Sequence, residues 1–183
     1  MPLTLTEQDS IPILGKVLVI HFTENPGMAF GLEFGGNIGK YILSIFRILA
    51  VIGIGYYIYK LTKKKATPKG LIICLSLIMA GALGNIIDSI FYGVIFSESD
   101  YVHAAEIFPS AGGYAPLLQG KVVDMFHIAI RKPEWLPWFW DDKIFPPIFN
   151  IADSSITIGV IMLILFQKRY FKKDPSKDNL QAV

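Results

Sequence analysis

One cysteine, Cys74, occurs in 183 residues, so neither an internal disulfide framework nor a multi-thiolate metal site is open to this chain. Charge is also scarce. Asp, Glu, Lys and Arg make up 17% of the sequence, against about a quarter in soluble domains, so a water-facing surface is hard to build from this stock. Neither sign dominates: 17 Lys and Arg against 15 Asp and Glu leave a formal charge of +2, too small and scattered for a nucleic-acid footprint. His21, His103 and His127 are dispersed without the spacing of a zinc helix, so no metal is assigned. No serine sits in a Gly-x-Ser-x-Gly elbow. The N-terminus offers no basic leader followed by a short apolar run, and neither solenoid repeats nor low-complexity tracts occur.

What remains is apolar. The chain is 52% hydrophobic with a mean hydropathy of +0.47, which excludes intrinsic disorder and points to a small integral membrane protein of one domain. Three stretches approach the roughly 20 apolar residues needed to cross a bilayer. They run over 41–59, interrupted by Arg47; over 71–96, with Asn85 and Asp88; and over 148–166, with Asn150 and Asp153 near the start. The expected fold is an α-helical integral membrane protein with three transmembrane helices, a small extracytoplasmic β-strand region and an interfacial Trp-rich segment.

Basic residues orient it. Lys60, Lys63, Lys64, Lys65 and Lys69 fill the link between the first two stretches, and Lys168, Arg169, Lys172, Lys173 and Lys177 follow the third, so both segments should be cytoplasmic. The organisation then reads as an extracytoplasmic strand region 1–40, two spans with a cytoplasmic basic loop 41–96, an extracytoplasmic loop and interfacial segment 97–147, a span 148–167 and a basic cytoplasmic tail 168–183. Three spans put the N-terminus outside although none precedes residue 41. A short tail can cross unaided, and a helix missing from the front would explain it equally. Residues 16–22 read as a strand, ended by the turn-forming Asn25-Pro26-Gly27. Residues 97–121 read as an exposed loop, and 133–147 hold all three tryptophans, as a segment at the headgroup level would.

An ionisable side chain at membrane depth costs several kcal/mol and is by default a functional candidate. Asp88 follows Asn85 by three residues and Asp153 follows Asn150 by three, so each pair projects from one helix face. Asp124 lies in the short apolar run Val122-Val123-Asp124-Met125-Phe126, suited to a strand or a helix start at the outer interface. Blander roles compete. Asn150 and Asp153 resemble a capping box; Asp88, at the unfavourable end of a helix dipole, needs a polar partner that is purely structural; Asp124 is a solvated interfacial acid; Arg47 snorkels or pairs with an acid; Cys74 is an inert small hydrophobe. The chemistry of the set is that two carboxylates held close do not both ionise easily. One acts as base toward water while its protonated neighbour polarises a carbonyl oxygen.

Four motifs occur in one order: Asn25-Pro26-Gly27-Met28-Ala29-Phe30-Gly31, Gly81-Ala82-Leu83-Gly84-Asn85-Ile86-Ile87-Asp88, Val122-Val123-Asp124-Met125-Phe126 and Phe149-Asn150-Ile151-Ala152-Asp153. On these the chain resembles the lipoprotein signal peptidases, bacterial signal peptidase II, over roughly residues 11–166. The resemblance implies an aspartyl endopeptidase of the bacterial cytoplasmic (inner) membrane that cuts prolipoproteins before a diacylglyceryl-modified cysteine, near the external leaflet. It implies catalysis by Asp124 and Asp153, with Asn25, Gly27, Asn85, Asp88 and Asn150 supporting the site or contacting substrate. No metal and no cofactor are implied, and the partners are lipid-modified prolipoproteins and membrane lipids. Two departures stand out. The family normally begins with a further transmembrane helix, and it commonly has Arg where this chain has Ser89. Residues 97–121 also lengthen the interval between Asp88 and Asp124 relative to compact members. Two other functions remain open at this level: a small proton- or ion-coupled transporter using Asp88 and Asp153 as a relay, and a non-catalytic lipid-binding scaffold. Oligomeric state is not legible.

Overall fold

The computed structural model describes residues 10–26, 36–100, 103–133, 135, 144–145 and 147–171. Gly27, most of the Trp-rich stretch and the end of the basic tail lie outside the described residues. The elements in chain order are β1 (Ile11–Leu14), β2 (Leu18–Asn25), α1 (Gly36–Thr62), α2 (Lys69–Ile95), β3 (Val122–Ile128), β4 (Ile148–Phe149), α3 (Ile151–Leu165) and α4 (Gln167–Tyr170).

Helices α1 and α2, of 27 residues each, are apolar and about 40 Å long at 1.5 Å per residue, enough to cross a bilayer. Their apolar side chains face outward: Ile42, Phe46 and Leu49 are each more than 60% exposed. A core helix of a soluble domain hides such residues, whereas lipid solvates them at no cost. The third apolar stretch divides differently from the expectation. Ile148 and Phe149 pair with β3 as β4, and the helix itself spans 15 residues before the chain breaks at Phe166, where α4 begins. Among the described residues, two helices rather than three therefore have spanning length.

Close approach of α2 and α3 depends on small residues. A Cβ at Gly81 would run into the Ala152 carbonyl oxygen and lie 2.7 Å from Ile156 Cγ1. At Gly159 it would lie 2.8 Å from the Cys74 carbonyl oxygen. Such contacts bring the backbones together where no hydrophobic effect acts between helices in lipid. Gly81, Gly84, Asn85 and Asp88 recur at helical spacing, so the face that admits α3 also carries the polar pair toward it. Cys74 is fully buried, its thiol 3.7 Å from the Tyr170 hydroxyl, as a small packed side chain.

The strands form one antiparallel sheet in the order β1-β2-β3-β4. The strand expected at 16–22 starts later and runs longer, because Gly15 and Lys16 form a hairpin turn with Gly15 at φ +55°. β1, absent from the expectation, carries Pro12 on an outer strand, where a missing N–H is tolerated. The 97–121 segment is only partly an exposed loop. Its first half is largely exposed, but its second half folds back over the end of α2. There Ala115 N–H donates to the Gly93 carbonyl (2.9 Å), Leu118 N–H to Ile90 (3.2 Å) and Gly120 N–H to Ser89 (2.9 Å), while Phe108 N–H reaches Ile95 (2.7 Å). Carbonyls of the last helical turn have no intrahelical partner, and the loop supplies donors for those of Gly93 and Ile95.

Gly81→Ala should lower the protein's stability in detergent by about 1–3 kcal/mol, the usual cost of overpacking. Gly53→Ala, where a Cβ meets nothing within 4 Å, should not. Paired thermal melts check both, and equal melting temperatures for the two variants would contradict the close-packed interface.

Candidate active site

Three elements converge where the sheet meets the start of α3. β3 carries Asp124, a strand position whose side chain is 4% exposed. β2 pairs antiparallel with β3, Thr23 opposite Asp124 and Asn25 opposite Val122. Thr23 and Asn25 thus share the face of Asp124, and Asn25 Nδ2 donates diagonally to Asp124 Oδ2 at 3.0 Å. The chain then passes from β4 into α3 through Asn150. Its extended backbone (φ −119°, ψ 179°) makes it the N-cap, its Oδ1 accepting from Asp153 N–H at 3.0 Å while its own N–H donates to Asp153 Oδ2 at 3.1 Å.

The capping box and the site are the same set of bonds. The Nδ2 group of Asn150 faces three acceptors: Asp124 Oδ1 (2.8 Å), Asn85 Oδ1 (3.0 Å) and the Val123 carbonyl (3.4 Å). Asn85 closes the ring by donating to Asp153 Oδ1 at 2.8 Å. Each carboxylate oxygen of Asp124 and Asp153 accepts one N–H in this network, leaving lone pairs for water or a carbonyl-bearing substrate. Asp88 stands one step back: its Oδ2 accepts from Val123 N–H at 3.3 Å, fixing the strand beside Asp124, and it also bonds the Tyr92 side chain. That is the polar partner its place in the helix demanded.

Electrostatics set Asp124 apart from an exposed acid. Burial, the largest influence, raises the pKa of Asp124 from 3.8 to about 6. The Asn25 hydrogen bond opposes this, the charge of Asp153 adds to it, the Asn150 bond opposes it and the charge of Asp88 adds again. Arg47 of α1 interacts electrostatically with Asp153, so the residue given a snorkelling or pairing role by sequence acts on the site. Ser89 is buried, its Oγ donating to the Asn85 carbonyl at 2.9 Å, and lies beneath the 97–121 loop rather than presenting a charge.

The sequence-derived set Asp124, Asp153, Asn25, Asn85 and Asn150 is thus brought together, Asp88 supports it through the backbone, and Gly27 lies outside the described residues. Residues not singled out from sequence surround it: Tyr92 on Asp88, and Glu24, adjacent to Asn25, which is 6% exposed and ion-paired with Lys121. No periodicity connects partners 97 positions apart. Among the described residues, no three His, Cys, Asp or Glu side chains gather as metal ligands.

Two solved structures of a bacterial membrane enzyme, determined by the in meso method, share this architecture. One, at 31% identity, superposes with a TM-score of 0.52 over 91% of this chain and 76% of its own; the other, at 28% identity, with a TM-score of 0.50 over 93% and 79%. The chain shares the fold of a membrane enzyme, and its class is that of the aspartic peptidases. The family model described as Signal peptidase (SPase) II matches residues 2–168, and a lipoprotein signal peptidase of Porphyromonas gingivalis is 50% identical over 156 residues, 82% of this chain and 67% of that protein. A lipoprotein signal peptidase of Amoebophilus asiaticus is 37% identical over 171 residues, 91% of this chain and 68% of that one. The chain belongs to the signal peptidase II family.

Two consequences are measurable. Because the folded state holds the Asp124 proton more tightly than the unfolded chain, stability falls as pH rises from about 3.8 through about 6. Asp124→Asn should therefore raise the melting temperature at pH 7.5, and the gain should vanish near pH 4; an unchanged difference across that range contradicts the assigned burial. Replacing Asn150 separates cap from site. Asn150→Ser keeps a capping oxygen and should be about 1 kcal/mol more stable than Asn150→Ala, yet both should lose about 100-fold in rate. Melts and peptidase assays on the two variants check this, and wild-type turnover in the Ser variant would refute the bridging role.

Proposed function

We propose that this chain is the membrane endopeptidase that removes signal peptides from diacylglyceryl-modified prolipoproteins, cutting before the lipidated cysteine with Asp124 and Asp153 as its catalytic pair. One observation carries the assignment: the Asn150 side chain joins the two carboxylates, accepting from the Asp153 N–H and donating to the Asp124 carboxyl. Curated relatives named lipoprotein signal peptidase support the substrate class.

The chemistry follows from a pair sharing one proton. The ionised carboxylate takes a proton from water as the water oxygen bonds to the scissile carbonyl carbon, while the protonated partner donates to the carbonyl oxygen. The resulting gem-diol collapses when the C–N bond breaks, and the proton held by the first carboxylate passes to the leaving nitrogen. The second carboxyl regains its proton from the diol, so the pair returns to its starting state. Asp124 is the member whose proton burial retains to about pH 6. Asn25, Asn85, Asn150 and Asp88 orient the pair, and Gly27 joins this set on the family resemblance alone.

The membrane arrangement that suits this reading has three spans, the third over 148–167. The basic loop after α1 and the tail 168–183 lie in the cytoplasm. Regions 1–40 and 97–147 lie outside the bacterial inner membrane, and the substrate's acyl chains lie in the lipid beside 41–96 and 148–167. Lys60 and Lys63 sit over the rings of Tyr56 and Tyr59, at 4.7 and 5.0 Å, an aromatic and basic belt of the kind that marks a membrane boundary. A relay for ions is not favoured: the curated relatives are peptidases by name, and Ile156 and Gly159, which pack against α2 beyond Asp153, are apolar.

Purified protein incubated with a lipidated prolipoprotein should release the signal peptide at the lipidated cysteine. Asp124→Asn and Asp153→Asn should each abolish cleavage while leaving the protein folded. For the wild type, kcat/KM should fall as pH rises through about 6, where Asp124 loses the shared proton. Full activity in either variant would sink the paired-carboxylate assignment.

A further inference from the structure

The end of β2 carries Asn25, and the Asn25–Asp124 bond exists only if that end is held against β3. Sheet pairing alone is a weak constraint there. The register of β2 on β3 shifts between Ile20 and Thr23, so Thr23, Glu24 and Asn25 form a short ladder of their own, and the next residue, Pro26, has no N–H to extend it. Glu24 projects from the face opposite Asn25. Despite its charge it is 6% exposed, its Oε2 accepting from Lys121 Nζ at 2.6 Å and its Oε1 from Ser99 Oγ at 2.9 Å.

Lys121 immediately precedes β3. Its backbone N–H donates to the Tyr114 hydroxyl at 2.7 Å, its ammonium lies 5.1 Å from the Tyr114 ring centroid, and Glu98 stands 3.6 Å away. The clasp therefore joins the end of β2 to the residue that leads into β3 and to the 97–121 loop, whose second half is bonded to the end of α2. A buried ion pair adds little net stability, because desolvation offsets attraction, but it sets register where alternatives compete.

We infer that Glu24 and Lys121 are positioning residues for the hydrolysis, holding Asn25 against Asp124 from the far face of the sheet, an assignment that rests on Asp124 being catalytic. The 97–121 loop gains a role from this: it supplies Ser99, Tyr114 and Lys121 to the clasp. Because the Asn25 bond favours the ionised form of Asp124, slackening the clasp moves the Asp124 proton to higher pH. Among the described residues, the charged groups acting on Asp124 are Asp153 of α3 and Asp88 of α2, with Arg47 of α1 acting on Asp153, and the clasp variants below alter none of them.

The experiment compares Glu24→Gln, Lys121→Met, the double variant Glu24→Gln/Lys121→Met, Lys121→Arg and Asp124→Asn in full-length protein with a lipidated prolipoprotein peptide. The clasp variants should lose roughly ten-fold in kcat, within the about 100-fold that a 1 Å misplacement costs, with KM nearly unchanged. The descending limb of their kcat/KM profile should move above the wild-type position, and Lys121→Arg should restore both. Ser99→Ala removes one bond to Glu24 without stranding a charge, so it tests the clasp even if the charge variants do not fold, and should shift the same limb in the same direction by less. Wild-type kcat and an unmoved limb in folded clasp variants, with Asp124→Asn inactive, overturn the clasp alone. An active Asp124→Asn overturns the catalytic assignment beneath it.

Discussion

Asn150 is the constraint on which the rest of the structure depends. One side chain ends a strand, starts a helix and joins two acids that come from different elements. Its oxygen satisfies a helix N–H that would otherwise be unpaired, and its amide hydrogens reach Asp124 and Asn85. A helix N-terminus also offers partial positive charge, which favours a carboxylate in the first turn. Asp153 is therefore held by the same physics that begins α3. Moving α3 relative to the sheet would break cap and site together.

That dependence explains why the α2–α3 contact is so tight. Asn85 reaches Asp153 at 2.8 Å because Gly81 and Gly84 let the backbone of α3 come against α2. In lipid, close packing of small residues substitutes for hydrophobic association, and the polar bonds sit where water is scarce and each is stronger. The acids lie at the end of the bundle rather than at its centre. There the sheet supplies backbone groups, such as the Val123 N–H for Asp88, that a helix interior keeps for itself. Burial raises the affinity of Asp124 for its proton, at a cost in stability once the carboxyl ionises.

Much of the site was legible because its spacing is local. Asn85 with Asp88, and Asn150 with Asp153, are separated by one helical turn, so each pair had to share a face. The capping box and the site-supporting role of Asn150 read as competitors in the sequence, and the geometry makes them one arrangement. The errors fall where pairing is non-local or where an apolar residue serves two masters. Ile148 and Phe149 look like the start of a span, yet the free edge of β3 takes them as a strand. β1 was missed because four residues with a proline carry little periodic signal, and Gly15 was the available clue. The 97–121 segment reads as polar and exposed, but the unpaired carbonyls at the end of α2 draw its second half back.

By itself the sequence determined the class of solvent this protein needs, the position of its long helices and the identity of its acids, because composition, hydropathy and helical spacing are properties of short windows. Only the tertiary structure decided which acids meet, through which asparagine, and what holds Asn25 in place. Glu24 and Lys121 lie 97 positions apart, and their meeting is a consequence of strand register and loop path. Long-range pairing follows from backbone hydrogen-bond demands summed over the whole fold, and no local window of residues contains that sum.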